Sequence, residues 1–287
     1  MKNSSYLTSV RTMTSVAAGL MMALSTHADG RLIATSGVTQ VEGSAGGGLV
    51  PWALITGYSE ENQTSVSAFH TLTDVQDFRM TVDGIGFSYG NRFELTAAQQ
   101  RFELKGTAVD IRQEIYGAKY KISGDAIYST MPQLAAGIQY KRLIDGEIAD
   151  AVGAKDSDTG TDFYVSATKV HLAALGGYHL LWNATLRATK ANQMGLLGYG
   201  GDDNNSYKLV PELSALVLLD EGLAVGAEYR YKPDNLSAFK EDRFADVFVA
   251  YFPNKNLNLT VAWADLGSIA GSEDQSGLYA SITGYFK

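Results

Sequence analysis

The feature that most constrains this chain is alternation. Over strand-length segments, apolar and polar residues repeatedly change places with a period of two. In residues 223–232 one row reads Leu223, Val225, Ala227, Tyr229 and Tyr231, and the other Ala224, Gly226, Glu228, Arg230 and Lys232. In 133–141, Leu134, Ala136, Ile138 and Tyr140 oppose Gln133, Ala135, Gly137, Gln139 and Lys141. Leu257, Leu259, Val261 and Trp263 oppose Asn258, Thr260, Ala262 and Ala264. Successive side chains of a strand point to opposite sides, so each pair of rows is two physically separate faces. No stretch sustains the 3.6-residue stripe of an amphipathic helix over several turns. The expected class is all-β.

Such strands suit either a soluble sandwich with apolar rows inward or a membrane barrel with them outward. Three features favour the barrel. Aromatics sit at the ends of the apolar rows (Tyr140, Tyr178 with Trp182, Tyr229 with Tyr231, Trp263, Phe286), where a lipid–water boundary favours amphipathic rings. Short connections (Gly90-Asn91, 172–177, 220–222, 253–256) interleave with long ones (144–161, 190–206, 233–242, 267–276). The long ones are rich in Gly, Asn, Asp and Ser, as exposed loops are. Counting the alternating segments predicts a transmembrane antiparallel up-and-down β-barrel of about twelve strands, with ten to fourteen admissible, over residues 63–287.

The N-terminal part reads differently. Lys2 and Arg11 precede the short apolar run 16–24, and Thr26 and Ala28 place small residues before a cut, the layout of a secretory signal peptide over 1–28. Residues 29–62 contain the Gly-rich stretch SAGGGLVPW (44–52) and show no strand period, so they are expected either as a luminal plug or as extra strands. The absence of cysteine excludes disulfides and thiolate chemistry, and a net charge of −8 without a basic block excludes nucleic acid as the main partner.

Charged residues on the polar rows are the most function-like feature. Lys141, Arg187, Glu212, Glu228, Arg230 and Lys232 are the lumen-lining candidates, with Glu94, Lys119 and Lys121 on the same face. They would either set the field of a water-filled passage or pair across the lumen and fill it. No catalytic residues are assigned. Beyond residue 28 the histidines are His70, His171 and His179, scattered and without an orienting acid at usable sequence spacing. Asp156, Asp158 and Asp162 form a weak candidate for Ca²⁺ in a long outer loop, although the spacing departs from an EF-hand. GYGGDD (198–203) is read as a flexible loop, because no helix follows to make a phosphate cradle. No cofactor is expected.

The stretches GGGLVPW (46–52), RFELTAAQQRF (92–102), LRATKANQMGLLGYGGD (186–202), AVGAEYRYKPDN (224–235) and FPNKNL (252–257) resemble an uncharacterised family of proteobacterial outer-membrane β-barrel proteins, a domain of unknown function. The resemblance implies export, an outer-membrane barrel in a Gram-negative cell, and contact with its lipid and barrel-assembly machinery. It implies no substrate and no catalytic residues. The charged polar face and the barrel size instead give the expectation of a passive channel or transporter for a small solute. The alternatives are a closed structural or adhesion-type barrel acting through its outer loops and, more distantly, an outer-membrane hydrolase.

Overall fold

The structure, a computed structural model, describes residues 31–287, so the expected signal peptide lies outside the described residues. Two short strands, β1 (Val38–Thr39) and β2 (Ala45–Gly46), pair with each other. The wall begins with β3 (Thr64–Val75), β4 (Phe78–Tyr89), β5 (Phe93–Leu104), β6 (Asp110–Ser123), β7 (Gln133–Leu143) and β8 (Thr159–Leu175). It continues with β9 (Tyr178–Thr189), β10 (Lys208–Leu218), β11 (Leu223–Tyr231), β12 (Arg243–Asn254), β13 (Leu257–Asp265) and β14 (Ser276–Phe286). Each wall strand pairs antiparallel with its sequence neighbour, and β14 closes on β3 with Phe286 opposite Val66. The result is a closed, twelve-stranded, membrane-spanning barrel with no free sheet edge. A one-turn helix, α1 (Glu147–Ala151), sits in the connection between β7 and β8.

The ends of the barrel differ. Connections 90–92, 176–177, 219–222 and 255–256, at the end where β3 starts and β14 finishes, are short, while 144–158, 190–207, 232–242 and 266–275 at the other end are long. Three connections break the expected rule. The outer links Gln76-Asp77 and 105–109 are short, and the inner connection 124–132 is long. Asp125 braces that inner connection, its carboxylate accepting the Ile127 and Tyr128 N–H groups at 2.8 Å each.

The outer face is apolar where alternation predicts it. Leu209, Leu213, Val247, Val249, Val261 and Trp263 are all exposed. Tyr89, Phe93, Tyr120, Tyr178 and Tyr251 ring the inner rim, and Tyr140, Tyr207, Tyr231 and Trp263 the outer one. Leu213 lies halfway along β10 and points outward, whereas its neighbour Ser214 is buried in the lumen. Leu213→Arg should therefore destabilise the barrel in lipid by about 2–4 kcal/mol. Urea unfolding in vesicles measures this, and a cost below about 1 kcal/mol would contradict the outward assignment of Leu213.

Candidate functional site: the charged lumen and its occupants

The lumen is lined by hydroxyl, amide and charged side chains, and it is occupied. Residues 36–59 thread through it, almost all buried. This stretch satisfies only part of its own backbone, through the two-residue β1–β2 ladder and a few bends such as Val41 N–H to Gly48 O (3.0 Å). Wall side chains take over that role. Lys119 Nζ donates to the carbonyls of Ala45 and Leu54 at 2.8 Å, and Glu94 accepts the N–H groups of Ala45 (3.1 Å) and Thr56 (2.8 Å). Thr185 donates to Pro51 O (2.7 Å), Gln133 to Ala53 O (2.6 Å), and Glu228 accepts the Leu49 N–H (2.7 Å). Trp52 is buried with its indole N–H on Ser214 Oγ at 2.8 Å. Gly47 is required by close approach, since a Cβ there would lie 2.0 Å from Glu228 Oε1.

At the centre lies a cluster of charges. Glu42, on the threaded segment, is fully buried and meets Lys141 through Oε1 and Arg230 through Oε2 at 2.6 Å, with Arg187 at 3.5 Å. Lys141 also meets Asp162 at 2.7 Å. Arg187 holds Glu212 through two nitrogens (2.5 and 3.3 Å) and Asp162 at 3.2 Å, and its guanidinium lies 5.4 Å from the centre of the Tyr164 ring. Arg230 Nε reaches Glu212 at 3.3 Å. Alternation places these groups on one face of β7, β8, β9, β10 and β11, and the closure of the barrel brings them together.

Of the six lumen-lining candidates, Lys141, Arg187, Glu212 and Arg230 converge here. Glu228 lies apart, accepting the Ser214 hydroxyl at 2.6 Å and facing Asp246 across the β11–β12 ladder. Asp246 is buried, and both its carboxylate oxygens lack a hydrogen-bond partner among the described residues. Lys232 is at the outer mouth beside Glu241 (3.3 Å) and Asp242 (3.4 Å). Burial there holds the Glu241 carboxyl above its ordinary value, against the pull of Lys232. Lys119 pairs with Glu94 at 3.1 Å.

Two sequence expectations need correcting at the outer end. Asp156, Asp158 and Asp162 do not converge: Asp162 points into the lumen from β8, while Asp156 faces Lys190 at 3.4 Å outside it. Nor is GYGGDD a free loop. Residues 190–201 fold down into the barrel mouth, and Tyr199 is 1% exposed, its hydroxyl donating to Gln113 at 2.8 Å. Gly160 makes room for that ring, as a Cβ would stand 2.1 Å from Tyr199 Cδ1. Gln193 and Met194 in this cap take left-handed backbone angles (φ 46° and 62°), an uncommon conformation for residues with a Cβ. The Met194 carbonyl accepts from Lys141 at 3.0 Å and Gln113 at 3.2 Å. Leu196, Leu197, Phe78, Phe102, Leu266 and Ile269 form an apolar lid around it. The cavity left between Arg187, Gln193, Arg230 and Phe244 is about 10 Å³, room for no more than one water.

The histidines also differ from expectation in one respect. His70 does have an acid partner: its Nδ1 lies 2.7 Å from Asp83 Oδ1 on the outward face of β3 and β4. Among the described residues no serine or threonine hydroxyl hydrogen-bonds that ring, so the dyad lacks a nucleophile. His171 accepts the Trp182 indole N–H (3.0 Å) and His179 the Ala173 N–H (3.0 Å), both near the Gly176-Gly177 turn.

The residues that sequence reasoning missed are Glu42 and Asp246, together with the luminal role of Asp162. Asp162 was findable, because Asp162, Tyr164, Ser166 and Thr168 continue one polar row. Glu42 lies in a stretch without period and carries no such signal.

Comparison with solved structures finds similar barrels at low identity. The KdgM porin in complex with disordered oligogalacturonate matches with a TM-score of 0.49 and 13% identity, covering 78% of this chain and 99% of that one. The Acinetobacter baumannii outer membrane protein Omp33 matches at 0.47 and 10%, covering 79% and 99%. The outer membrane phospholipase A from Escherichia coli matches at 0.40 and 9%, covering 80% and 93%. No curated protein matches the chain in sequence. One family model covers both the threaded segment and nearly all of the wall: the chain belongs to the family described as protein of unknown function (DUF3034), matched over residues 35–283.

Proposed function

We propose that this chain is a gated passive channel for a small solute in the outer membrane of a Gram-negative bacterium. In this reading residues 1–28 are an export signal, 29–62 a movable plug and 63–287 the conducting wall, seated in lipid by the barrel-assembly machinery. One observation carries it: charged groups of the wall find their partners on a separable length of chain. Lys141 and Arg230 close on Glu42, and Lys119 on plug carbonyls. Small barrels that are permanently filled can use their own wall side chains. Here the wall would present a polar, charged passage once the plug moved.

Planar-bilayer conductance tests the proposal. The full chain should show small, intermittent currents, and a variant lacking residues 31–59 a larger, sustained one. A folded deletion variant that passes no current overturns it and favours the closed barrel, a reading supported by the apolar lid at the outer mouth. In that case deleting 144–158 and 190–207 should abolish the cellular role while sparing the barrel. The hydrolase reading rests on His70 and Asp83 alone. Lipid hydrolysis lost in His70→Ala would be needed to support it.

A further inference from the structure

Glu42 is not a wall residue, yet its carboxylate is held as a bound ligand would be. Its two oxygens are divided among the groups that surround it. Lys141 takes Oε1, while Arg230 (2.6 Å), Arg187 (3.5 Å) and the Gln40 amide (2.5 Å) share Oε2. The three cations come from β7, β9 and β11. Asp162 and Glu212 complete the cluster, and no side chain in it is more than 5% exposed. Three cations thus face three carboxylates, and the set is neutral only while Glu42 is in place. Removing the Glu42 carboxylate while the rest of the segment still excludes water leaves one positive charge without a partner, a state that is strongly disfavoured. An incoming anion removes that penalty, and a neutral solute does not. Two guanidinium groups also match the planar, two-oxygen shape of a carboxylate better than they match a bare halide.

We infer that Lys141, Arg187 and Arg230 form a carboxylate-binding site whose resident occupant is Glu42, and that the solute admitted is a small organic acid that exchanges with it. Passage of the acid rests on the gated-channel reading, but the site itself is testable without passage. Glu42→Ala removes the occupant's carboxylate and leaves space for one. In chloride buffer the thermal unfolding midpoint of this variant should fall by roughly 10 °C, given the size of the chain and the cost of an unpaired buried charge. Millimolar propionate should restore most of that loss by binding the folded state. Propionamide or an equal concentration of extra chloride should not.

Failure of propionate to raise the midpoint overturns the site, and equal rescue by chloride overturns the carboxylate class. If Glu42→Ala refolds only when propionate is present, the proposal is supported. The double variant Glu42→Ala/Arg230→Gln is neutral again and should fold without propionate and ignore it. A propionate requirement there, or failure of both variants to fold with propionate present, overturns the inference. Rescue of Glu42→Ala alongside a non-conducting plug deletion would leave the site standing and remove the channel.

Discussion

Gly46→Val should unseat the luminal segment while leaving the wall of the barrel folded. The reason is local and steric. A Cβ on Gly46 would stand 2.2 Å from the Val50 carbonyl oxygen, and 2.9 Å from both Pro51 Cα and Trp52 N. All three are backbone atoms of the bend that returns the segment on itself, so no side-chain rotation relieves the contact. That bend is held by Gly47 N–H to Val50 O (2.9 Å) and Trp52 N–H to Ala45 O (3.1 Å), and it sets where the indole meets Ser214. Overpacking of this kind costs roughly 1–3 kcal/mol or more, on the order of a 5- to 150-fold rise in the displaced population. Trp52 reports it directly. The other two tryptophans, Trp182 and Trp263, face outward, so a Trp182→Phe/Trp263→Phe background isolates the buried indole. The emission should shift to the red and conductance should rise together. Native emission with unchanged current would mean that the bend tolerates the branch.

Much of the fold was legible in the sequence, for a physical reason. A membrane wall is two-sided at every residue, so alternation alone gives strand positions, faces and, once the chain closes, a strand number. The inward direction of Arg187, Glu212 and Arg230 follows from that rule without any knowledge of their partners. What alternation cannot supply is register between distant elements. Glu42 meets Lys141 and Arg230 across 99 and 188 positions, and nothing periodic in residues 31–59 says which side chain turns toward which strand. The same limit hid His70 and Asp83. They lie thirteen positions apart and became a pair only when β3 and β4 were aligned residue by residue. Tyr199 was missed because its glycine-rich surroundings look like a solvated loop. The pocket that takes its ring is made by Gly160 on β8, far away in sequence.

Arg187 should be the most costly single wall residue to neutralise. Its guanidinium serves Glu212, Asp162 and the side-chain amide oxygen of Gln139 (2.6 Å) with no exposure to water. In Arg187→Met, Glu212 keeps only the longer contact from Arg230 and Asp162 keeps only Lys141, so two cations must hold three carboxylates. Breaking a buried pair from one side costs about 3–5 kcal/mol, because the partner is left charged without compensation. Adding Glu212→Gln restores neutrality, and the double variant should recover more than half of that loss. A double-mutant cycle on urea unfolding in detergent micelles measures the coupling. Strictly additive costs would show that the cluster is not one electrostatic unit. If instead the neutral pair approaches wild-type stability, folding does not need these charges, since buried ion pairs are often replaceable without loss. Their presence at the centre of the lumen would then be explained by what the wall must hold when Glu42 leaves.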